Sequence, residues 1–379
     1  MSKVQYYYKE RKKSETGATG TVTYDLPESG VIPEIHLRAF STPTASTNPA
    51  LPLEAAITKI EITDGAKVIK SLTGNQAKAL SCFHKYKNYD MTDTDDNGVE
   101  QCTEFSLILG GEFNGKLWAP DFAKFANPQI KISWDYSLTS DKGASCDADT
   151  SPAMKFTILC KIVRESSKYA PGYLKSTQIK TWTQAASTET PTDLPRGELM
   201  AGIMIEAGYV DLDWTEDIEK IELDFNNGEW KPIEMYEEEI VPFQKELFPG
   251  GFSISYMKDL IDAKNFDTRM GYVTSFNGTG IGATNVTLGF ESTHMGINQC
   301  SVFDTATPTA ISTYEQVYVH AKGQLPFNCA YIPMSALLNG EGSTIDTAKY
   351  RQIALKLTSG SSASTSSKPA IVCEYLVPQ

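Results

Sequence analysis

The chain has 379 residues, 41% of them hydrophobic and 21% charged, and carries a formal net charge of −13 at pH 7. This excess of acid argues against broad nucleic-acid binding, because neutralising phosphates requires clustered lysine and arginine. No apolar run approaches the roughly 20 residues that span a bilayer, and the first 30 residues lack the apolar core of a secretory signal.

The first 20 residues are predicted to form a basic arm. In MSKVQYYYKERKK, five basic residues accompany one acid, Glu10, and three consecutive tyrosines. Such a segment suits an anionic lipid surface, to which each basic residue contributes about 1 kcal/mol. A frayed, solvated terminus is the other interpretation. The five basic residues are Lys3, Lys9, Arg11, Lys12 and Lys13.

Through most of the remaining chain, apolar and polar residues alternate with a period of two, which is typical of strands with one buried face. In QIKISWDYSL, Ile130 and Ile132 share one face, whereas Lys131 lies on the other. Turn clusters separate such segments, and only GNQAKALSCFHKY and IEMYEEEIVPFQKELF predict helices. The pattern predicts an all-β chain built from sandwiches. Predicted core positions include Ile60, Ile62, Trp134, Ile158, Ile221 and Leu223.

Several segments occur twice in the same order. KIEITDG at Lys59–Gly65 returns as KIELDFNNG at Lys220–Gly228, and each copy precedes a short strand and a predicted helix. Four matches in one order indicate a tandem duplication of a single β-domain. The other paired segments begin at Asp25 and Asp193 (DLPESGVIPEIHLRA and DLPRGELMAGIMIEA), at Glu100 and Glu315 (EQCTEFSLILGGEFNGKLWAP and EQVYVHAKGQLPFNCAYIP), and at Ala153 and Ala370 (AMKFTILCKIV and AIVCEYLV).

The duplication sets the expected domain boundaries. The first β-domain is predicted at 21–165, a linker at 166–192, and the second β-domain at 193–379. The spacing between matched segments increases once, after the second predicted helix, so the second copy is expected to carry an insertion across about 250–313. The insertion is rich in Gly, Thr, Asn and Ser, and we expect it, with its GTGIG glycines, to form exposed loops.

Tandem β-domains of this size, with a DLP turn before the first core strand and a helix after the next strands, resemble the double jelly-roll major capsid proteins. That family includes adenovirus hexons and the shells of tailless, membrane-containing phages. The resemblance extends from about Tyr24 to Val377 and implies two tandem jelly-roll β-sandwiches, each with a short helix. The insertion would then form an outward tower on the second barrel.

The same resemblance implies a function and partners. Three copies would form a homotrimeric, pseudo-hexameric capsomer that tiles an icosahedral capsid together with neighbouring trimers and with penton or minor capsid proteins. The protein would be made and assembled in the host cytoplasm and reside in the virion, with the basic arm against an internal lipid membrane. No enzymatic activity and no direct contact with nucleic acid are expected.

A second function class is a carbohydrate-binding or glycoside-hydrolase β-sandwich protein. Sandwiches often host sugar sites, and the chain places acids beside tryptophans. Catalytic carboxylates must face each other at about 5–10 Å, which the sequence does not establish. A stable trimer would favour the capsid interpretation, and a monomer that hydrolyses or retains glycans would favour this one. The acids and tryptophans are Asp211, Asp213, Trp214, Glu229 and Trp230.

DTDDNGVEQCTE fits the spacing of a calcium-binding loop, in which Gly98 supplies the sharp turn. A strand rather than a helix follows, and Glu100 replaces an apolar residue, so an acidic surface loop is the other interpretation. A structural Ca²⁺ is the only cofactor that the sequence suggests. Its ligands would be Asp93, Asp95, Asn97, the Val99 carbonyl and Glu104.

The remaining motifs predict no chemistry. GGEFNGK at Gly110–Lys116 resembles a phosphate loop, but Leu117 stands where a Ser or Thr would bind magnesium, so a hairpin turn is expected. The four histidines lack metal-site spacing, and Cys82 and His84, two apart on a helix, do not face each other. The seven cysteines form no C-x-x-C pair and are predicted to be reduced thiols, mostly buried in strands.

Overall fold

The computed structural model describes residues 4–41, 53–85, 89–95, 100–136, 153–163, 168–208, 214–260, 265–267, 270–281, 286–290, 299–304, 315–338, 343–363 and 368–379. Strands dominate these residues, as the alternating pattern predicts. Among the helices of these ranges, none has the length and apolar character needed to cross a membrane.

The first half folds into two facing sheets. Its elements are β1 (Val4–Thr16), β2 (Thr19–Asp25), β3 (Val31–Ser41), α1 (Leu53–Ala56), β4 (Ile57–Asp64), β5 (Lys67–Leu72), α2 (Gly74–Lys85), β6 (Tyr89–Asp95), β7 (Gln101–Ile108), β8 (Gly111–Phe113), β9 (Lys116–Ala119), β10 (Pro128–Asp135) and β11 (Ala153–Val163). One sheet has the order β1-β11-β3-β7 and the other β2-β10-β4-β5.

The second half follows the same plan with an insertion. Its elements are β12 (Tyr169–Thr181), β13 (Glu189–Asp193), β14 (Leu199–Glu206), α3 (Trp214–Asp217), β15 (Lys220–Phe225), β16 (Trp230–Tyr236), α4 (Glu237–Leu247), β17 (Phe252–Leu260), β18 (Asn265–Asp267), β19 (Met270–Ile281), β20 (Val286–Phe290), β21 (Gln299–Asp304), β22 (Glu315–Pro326), β23 (Cys329–Pro333), α5 (Met334–Leu337), β24 (Ile345–Asp346), β25 (Ile353–Thr358) and β26 (Ala370–Pro378). Its sheets are β12-β26-β14-β23 and β13-β25-β15-β16.

The two halves have identical strand order. When the eight barrel strands of each half are numbered along the chain, one sheet joins strands one, eight, three and six, and the other joins two, seven, four and five. This is the order of a jelly roll. The predicted fold, an all-β chain of two tandem jelly rolls with a helix in each, is therefore confirmed. We call the halves barrel 1 and barrel 2.

The barrels share a sheet. β5 at the edge of barrel 1 pairs in parallel with β12 of barrel 2, so that β2-β10-β4-β5 continues into β12-β26-β14-β23. The stretch 166–192, predicted as a linker, thus contains the first strand of barrel 2. The segment predicted as a basic arm contains β1, an edge strand paired antiparallel with β11.

Each barrel has its own hydrophobic cluster, and all six predicted core positions are buried. In β14, Ile203 and Ile205 belong to the core of barrel 2, whereas Met204, on the opposite face, belongs to the cluster of barrel 1. β26 behaves in the same way, with Ile371 in one cluster and Val372 in the other. These strands are buried on both faces because barrel 1 covers the outside of their sheet.

The repeats identify most equivalent strands correctly. The paired DLP and KIE segments lead into strands three and four of each barrel, and the segments at Ala153 and Ala370 form strand eight. The match at Glu315 is wrong, because EQVYV belongs to β22, which pairs with β17 and β19 of the insertion. β23 is the true sixth strand. A strand that extends a sheet has the same alternation as a barrel strand, so the pattern alone does not separate them.

Several local predictions can be compared with the structure. Helix α2 forms where predicted, but the second predicted helix begins at Glu237, since Ile233–Tyr236 complete β16. GGEFNGK forms the β8–β9 hairpin, with Asn114 and Gly115 at φ of 51° and 69°, which confirms the turn. The insertion is not only loops: it contains strands, and GTGIG, predicted as loop, continues β19 as far as Ile281.

Candidate functional site: the joint between the barrels

A buried carboxylate lies at the centre of the joint. Glu374 of β26 points away from the core of barrel 2 and is fully buried. Its Oε2 lies 2.7 Å from Nε2 of His84 in α2 and accepts a hydrogen bond of 2.8 Å from the Tyr331 hydroxyl. Its Oε1 accepts a hydrogen bond of 2.5 Å from Ser176, which in turn accepts one of 2.6 Å from Lys70 Nζ.

The charges in this cluster come from both barrels. Burial by itself would raise the pKa of Glu374, but His84 and Lys70, both from barrel 1, lower it to about 2. Burial lowers the pKa of Lys70 to about 8, although Glu374 opposes this shift. Glu374 therefore stays ionised near neutral pH. Lys70 and Glu374 therefore form a buried ion pair across the joint, bridged by the Ser176 hydroxyl. Removing either member would leave the other as an uncompensated buried charge.

A second polar contact lies beside the first. Gln76 of α2 is fully buried and donates hydrogen bonds of 2.7 Å to Glu206 and 2.6 Å to Gln178. Glu206 ends β14 and is half-buried. Loss of solvent raises its pKa above the usual value, against the effect of the Gln76 hydrogen bond.

Aromatic packing fills the joint around these polar groups. Phe83 of α2 stacks on Tyr331 with ring centroids 5.3 Å apart, and it also contacts Phe248 and Phe252. Helix α2 thus joins barrel 1, barrel 2 and the start of the insertion. Polar and apolar contacts together fix how the barrels sit against each other.

The outer face of the β13-β25-β15-β16 sheet carries a network of ion pairs. Glu222 contacts Lys356 at 2.7 Å and Lys231 at 2.9 Å, and these hydrogen bonds lower its pKa to about 2. A groove of about 600 Å³ opens on this face, lined in part by Asp193 and Asp224. Both carboxylates accept hydrogen bonds, from Gln352 at 2.9 Å and Lys356 at 3.3 Å respectively.

The predicted basic arm is placed only in part. Lys9 and Arg11 lie in β1, and Arg11 is exposed, as are Tyr6 and Tyr7 of the same strand. Lys12 and Lys13 belong to the same strand, whereas Lys3 lies outside the described residues. The described part of the segment is thus a strand and not a free tail.

The residues of the calcium pattern do not form a described site. Asp93 and Asp95 lie in β6, and Glu104 lies in β7, where its carboxylate is 2.8 Å from Nε of Arg38. Asn97 and Val99 lie outside the described residues. Within the described ranges, no group of three or more His, Cys, Asp or Glu residues is placed to hold a metal. Calcium binding stays a prediction.

The residues of the carbohydrate interpretation are dispersed. Asp211 and Asp213 lie outside the described residues, and Trp214 is buried with its indole N–H donating to the Asn328 carbonyl at 3.0 Å. Glu229 accepts a hydrogen bond from Asn226 inside the β15–β16 turn, and Trp230 packs on Phe225. No observation on these residues favours a sugar site.

The sequence did not identify the joint. The helical spacing excludes a pair of His84 with Cys82, and the partner of His84 is Glu374, which is distant in sequence. A usable signal was the interruption of apolar strands: Glu206 ends AGIMIE and Glu374 interrupts AIVCEYLV. An acid in a strand that is otherwise apolar on both faces indicates a buried partner.

Comparison with known proteins gives structural similarity without sequence similarity. No protein-family model and no curated protein sequence matches the chain. The major capsid protein of Sulfolobus turreted icosahedral virus superposes with a TM-score of 0.57 at 11% identity, over 99% of this chain and 96% of its own. The major capsid protein of bacteriophage PM2 superposes with a TM-score of 0.52 at 13% identity, over 99% of this chain and 98% of its own. A PBCV-1 virus capsid chain superposes with a TM-score of 0.53 at 8% identity, over 99% of this chain and 94% of its own. The chain therefore has the double jelly-roll fold.

Proposed function

We propose that this chain is the major capsid protein of an icosahedral virus and has a structural, not an enzymatic, role. The observation that carries the proposal is the repeated strand order: two jelly rolls of one topology are fixed to each other through a shared sheet and a buried joint. Capsid proteins of three viruses match this whole arrangement over 99% of the chain. A matching single barrel would carry less weight, because jelly rolls serve many functions.

The geometry suits a shell tile. Three copies of a two-barrel chain give six similar lobes, which approximate the hexagonal outline that a flat facet requires. Joining the barrels in one chain removes part of the entropic cost of bringing six units together. The partners that this function requires are other copies of the chain within a homotrimer, neighbouring trimers, and penton or minor capsid proteins at other lattice positions. The protein would be made in the host cytoplasm and reside in the virion.

We expect the purified chain to be a stable trimer of about 125 kDa, three times the 41.7 kDa chain. Light scattering coupled to size exclusion would give this mass, and negative-stain images would show pseudo-hexagonal particles. A monomer that hydrolyses or retains glycans would contradict the proposal and favour the carbohydrate function.

We also propose that the N-terminal strand faces an internal membrane. Arg11 and Tyr7 are exposed on β1, and tyrosine with basic residues suits an anionic headgroup region. Because β1 is paired with β11, deleting residues 1–13 would expose the edge of β11. Substitutions that keep the strand therefore give the cleaner test.

The double variant Lys9→Gln/Arg11→Gln is expected to bind vesicles containing phosphatidylglycerol about 30-fold more weakly, given about 1 kcal/mol per basic residue. Vesicle flotation at low salt measures the binding, and the trimer mass checks the fold. Lys116→Gln/Lys349→Gln removes the same charge from other exposed positions and should leave binding unchanged. Equal binding by both double variants would contradict a role for β1.

A further inference from the structure

Helices α2 and α4 occupy equivalent places in the two barrels. Each follows strand five and lies along the edge of strand six. In barrel 1, the Ser81 hydroxyl accepts a hydrogen bond of 3.0 Å from the backbone N–H of Ser106 in β7. In barrel 2, the Gln244 side chain accepts a hydrogen bond from the Tyr331 N–H of β23 and donates one to the Tyr331 carbonyl.

The first turns of the two helices make the same cap. The Gln76 side chain accepts a 3.0 Å hydrogen bond from the backbone N–H of Thr73, and the Glu239 side chain accepts one of 3.0 Å from that of Tyr236. The number of residues from Gln76 to Ser81 in α2 equals the number from Glu239 to Gln244 in α4. Gln76 and Glu239 are therefore equivalent.

The surroundings of the two helices differ. Ten of the 12 residues of α2 are buried, because barrel 2 covers the side that barrel 1 does not. In α4 only Ile240, Val241 and Gln244 are buried. The side of α4 that corresponds to the covered side of α2 is open in a single chain. Its exposed residues are Glu238, Glu239, Pro242, Lys245 and Glu246.

The surface that covers α2 also has an equivalent. Glu206 and Arg38 follow Asp193 and Asp25 at the same distance, both on strand three. In both barrels the pairing of strands three and eight shifts register near the start of strand three, which supports this alignment. Glu374 and Lys161 lie in the pairs next to this shift and are therefore equivalent on strand eight. Two acids on the sheet that covers α2 thus correspond to two cations on the outer face of barrel 1.

The charges differ in sign between the two helices, and they also differ in sign between the two sheet faces. In the joint within the chain, a helix with His84 and without acids meets a sheet with Glu206 and Glu374. In barrel 2 the helix is acidic, and the outer sheet face of barrel 1 presents Arg38 and Lys161, whose side chains are 39% and 37% exposed. Arg38 already contacts Glu104, and Lys161 lies 4.0 Å from Glu34. The Arg38 guanidinium has five donors and accommodates another carboxylate.

We propose that the exposed side of α4 docks on the outer face of the β1-β11-β3-β7 sheet of a second copy of the chain, with Glu239 against Arg38. This inference rests on the proposed trimer and names its interface. It repeats between chains the joint that connects the barrels within one chain, so three copies close a ring of six. The inverted charges disfavour a barrel 1 sheet meeting α2 of another copy, which sets the alternation of the barrels.

Two strand edges fit the same arrangement. Within the chain, β5 and β12 pair in parallel across the joint. Their equivalents are β16 and β1, and each lies at the end of its sheet in the described structure. Docking of α4 on a second copy would bring β16 beside that copy's β1 and cover two edges that a lone chain leaves open.

Cysteine crosslinking tests this contact directly. In the variant Arg38→Cys/Glu239→Cys, a short bismaleimide is expected to link copies into dimers and trimers, with no larger product, on denaturing gels. The five cysteines whose side chains the structure describes are buried, which limits background reaction. Lys116→Cys/Glu239→Cys is the matched control, since Lys116 is exposed on the β8–β9 hairpin and not on this sheet face. It should give no trimer ladder.

The outcomes separate the interface from the proposed function. A trimeric variant that the reagent does not link overturns the docking of α4 and leaves the capsid function standing. A wild-type chain that is monomeric overturns both. If the cysteine pair does not fold, Lys161→Glu gives a second test: a folded variant should have a trimer dissociation constant at least about tenfold larger, because like charges would meet across the interface. An unchanged constant would count against the proposal.

Discussion

The Ile132→Asp variant is expected to abolish soluble expression of the chain. Ile132 is fully buried on the central strand β10, in register with Val22 of β2 and Ile60 of β4. A carboxylate there would have no partner in an apolar cluster, and such a buried, unpaired charge costs several kcal/mol. That loss is comparable to the whole stability of a typical domain, about 5–15 kcal/mol. Solubility after lysis and circular dichroism of any soluble fraction measure the effect.

The neighbouring position provides the control. Lys131→Asp introduces the same residue one place earlier on β10, where the side chain is exposed and faces Glu61 across the sheet. Mutual repulsion should cost no more than about 1 kcal/mol. We expect this variant to be soluble and trimeric. A soluble, trimeric Ile132→Asp variant would contradict the assignment of the β10 core face.

The alternation that makes Ile132 predictable also explains why the fold could be read from the sequence. A strand with one buried face records its orientation in every second residue, as Ile130, Ile132 and Trp134 do. The duplicated segments then order the strands, because a DLP turn and a KIE strand recur together. These local signals suffice for two barrels of like topology.

The same logic fails where a strand is buried on both faces. In β14, Met204 faces barrel 1 while Ile203 and Ile205 face barrel 2, so the run AGIMIE carries no alternation. Nothing in that run says what covers the second face. The sequence predicts that such a strand is buried, but the covering element, α2, is known only from the structure.

The joint was missed for a related reason. Its polar residues come from six elements, and Lys70 and Glu374 come together at Ser176 only after the whole chain has folded. Lys70 of KVIKSL stands two places from Leu72, so a period of two puts it on an apolar face and indicates no partner for its charge. In the structure it lies opposite Ile62 of β4. Pairing between distant residues is a property of the assembled barrels and leaves only the isolated acid as a local trace.

Replacing Glu374 with glutamine should be the most damaging single change that keeps the shape of the joint. The amide has no charge, so Lys70, which is buried, would lose its counter-ion, and His84 would lose its carboxylate partner. Removing one partner of a buried ion pair costs about 3–5 kcal/mol. We expect chemical denaturation to show this loss of unfolding free energy and hydrogen exchange to show faster opening of α2.

The pH dependence of the stability follows from the direction in which the pKa of Glu374 is shifted. The pKa of Glu374 is about 2 in the folded chain, below its ordinary value of 4.5. The contribution of Glu374 to the free energy of unfolding is therefore fully present above pH 4.5. As pH falls through the interval from about 4.5 to 2, the wild-type chain should lose this contribution. Glu374→Gln has no such carboxyl, so its stability should fall less steeply over the same interval.

The surface pair Lys220–Glu234, at 2.6 Å, supplies the control, because Glu234 is 46% exposed and Glu234→Gln should cost less than about 1 kcal/mol. The double variant Lys70→Met/Glu374→Gln should cost less than the two single changes together, since the methionine removes the buried charge that the glutamine leaves unpaired. Additive costs, or a loss no larger than that of Glu234→Gln, would mean that the ion pair does not hold the barrels together. The joint would then rest on the packing of Phe83 against Tyr331 and its neighbours.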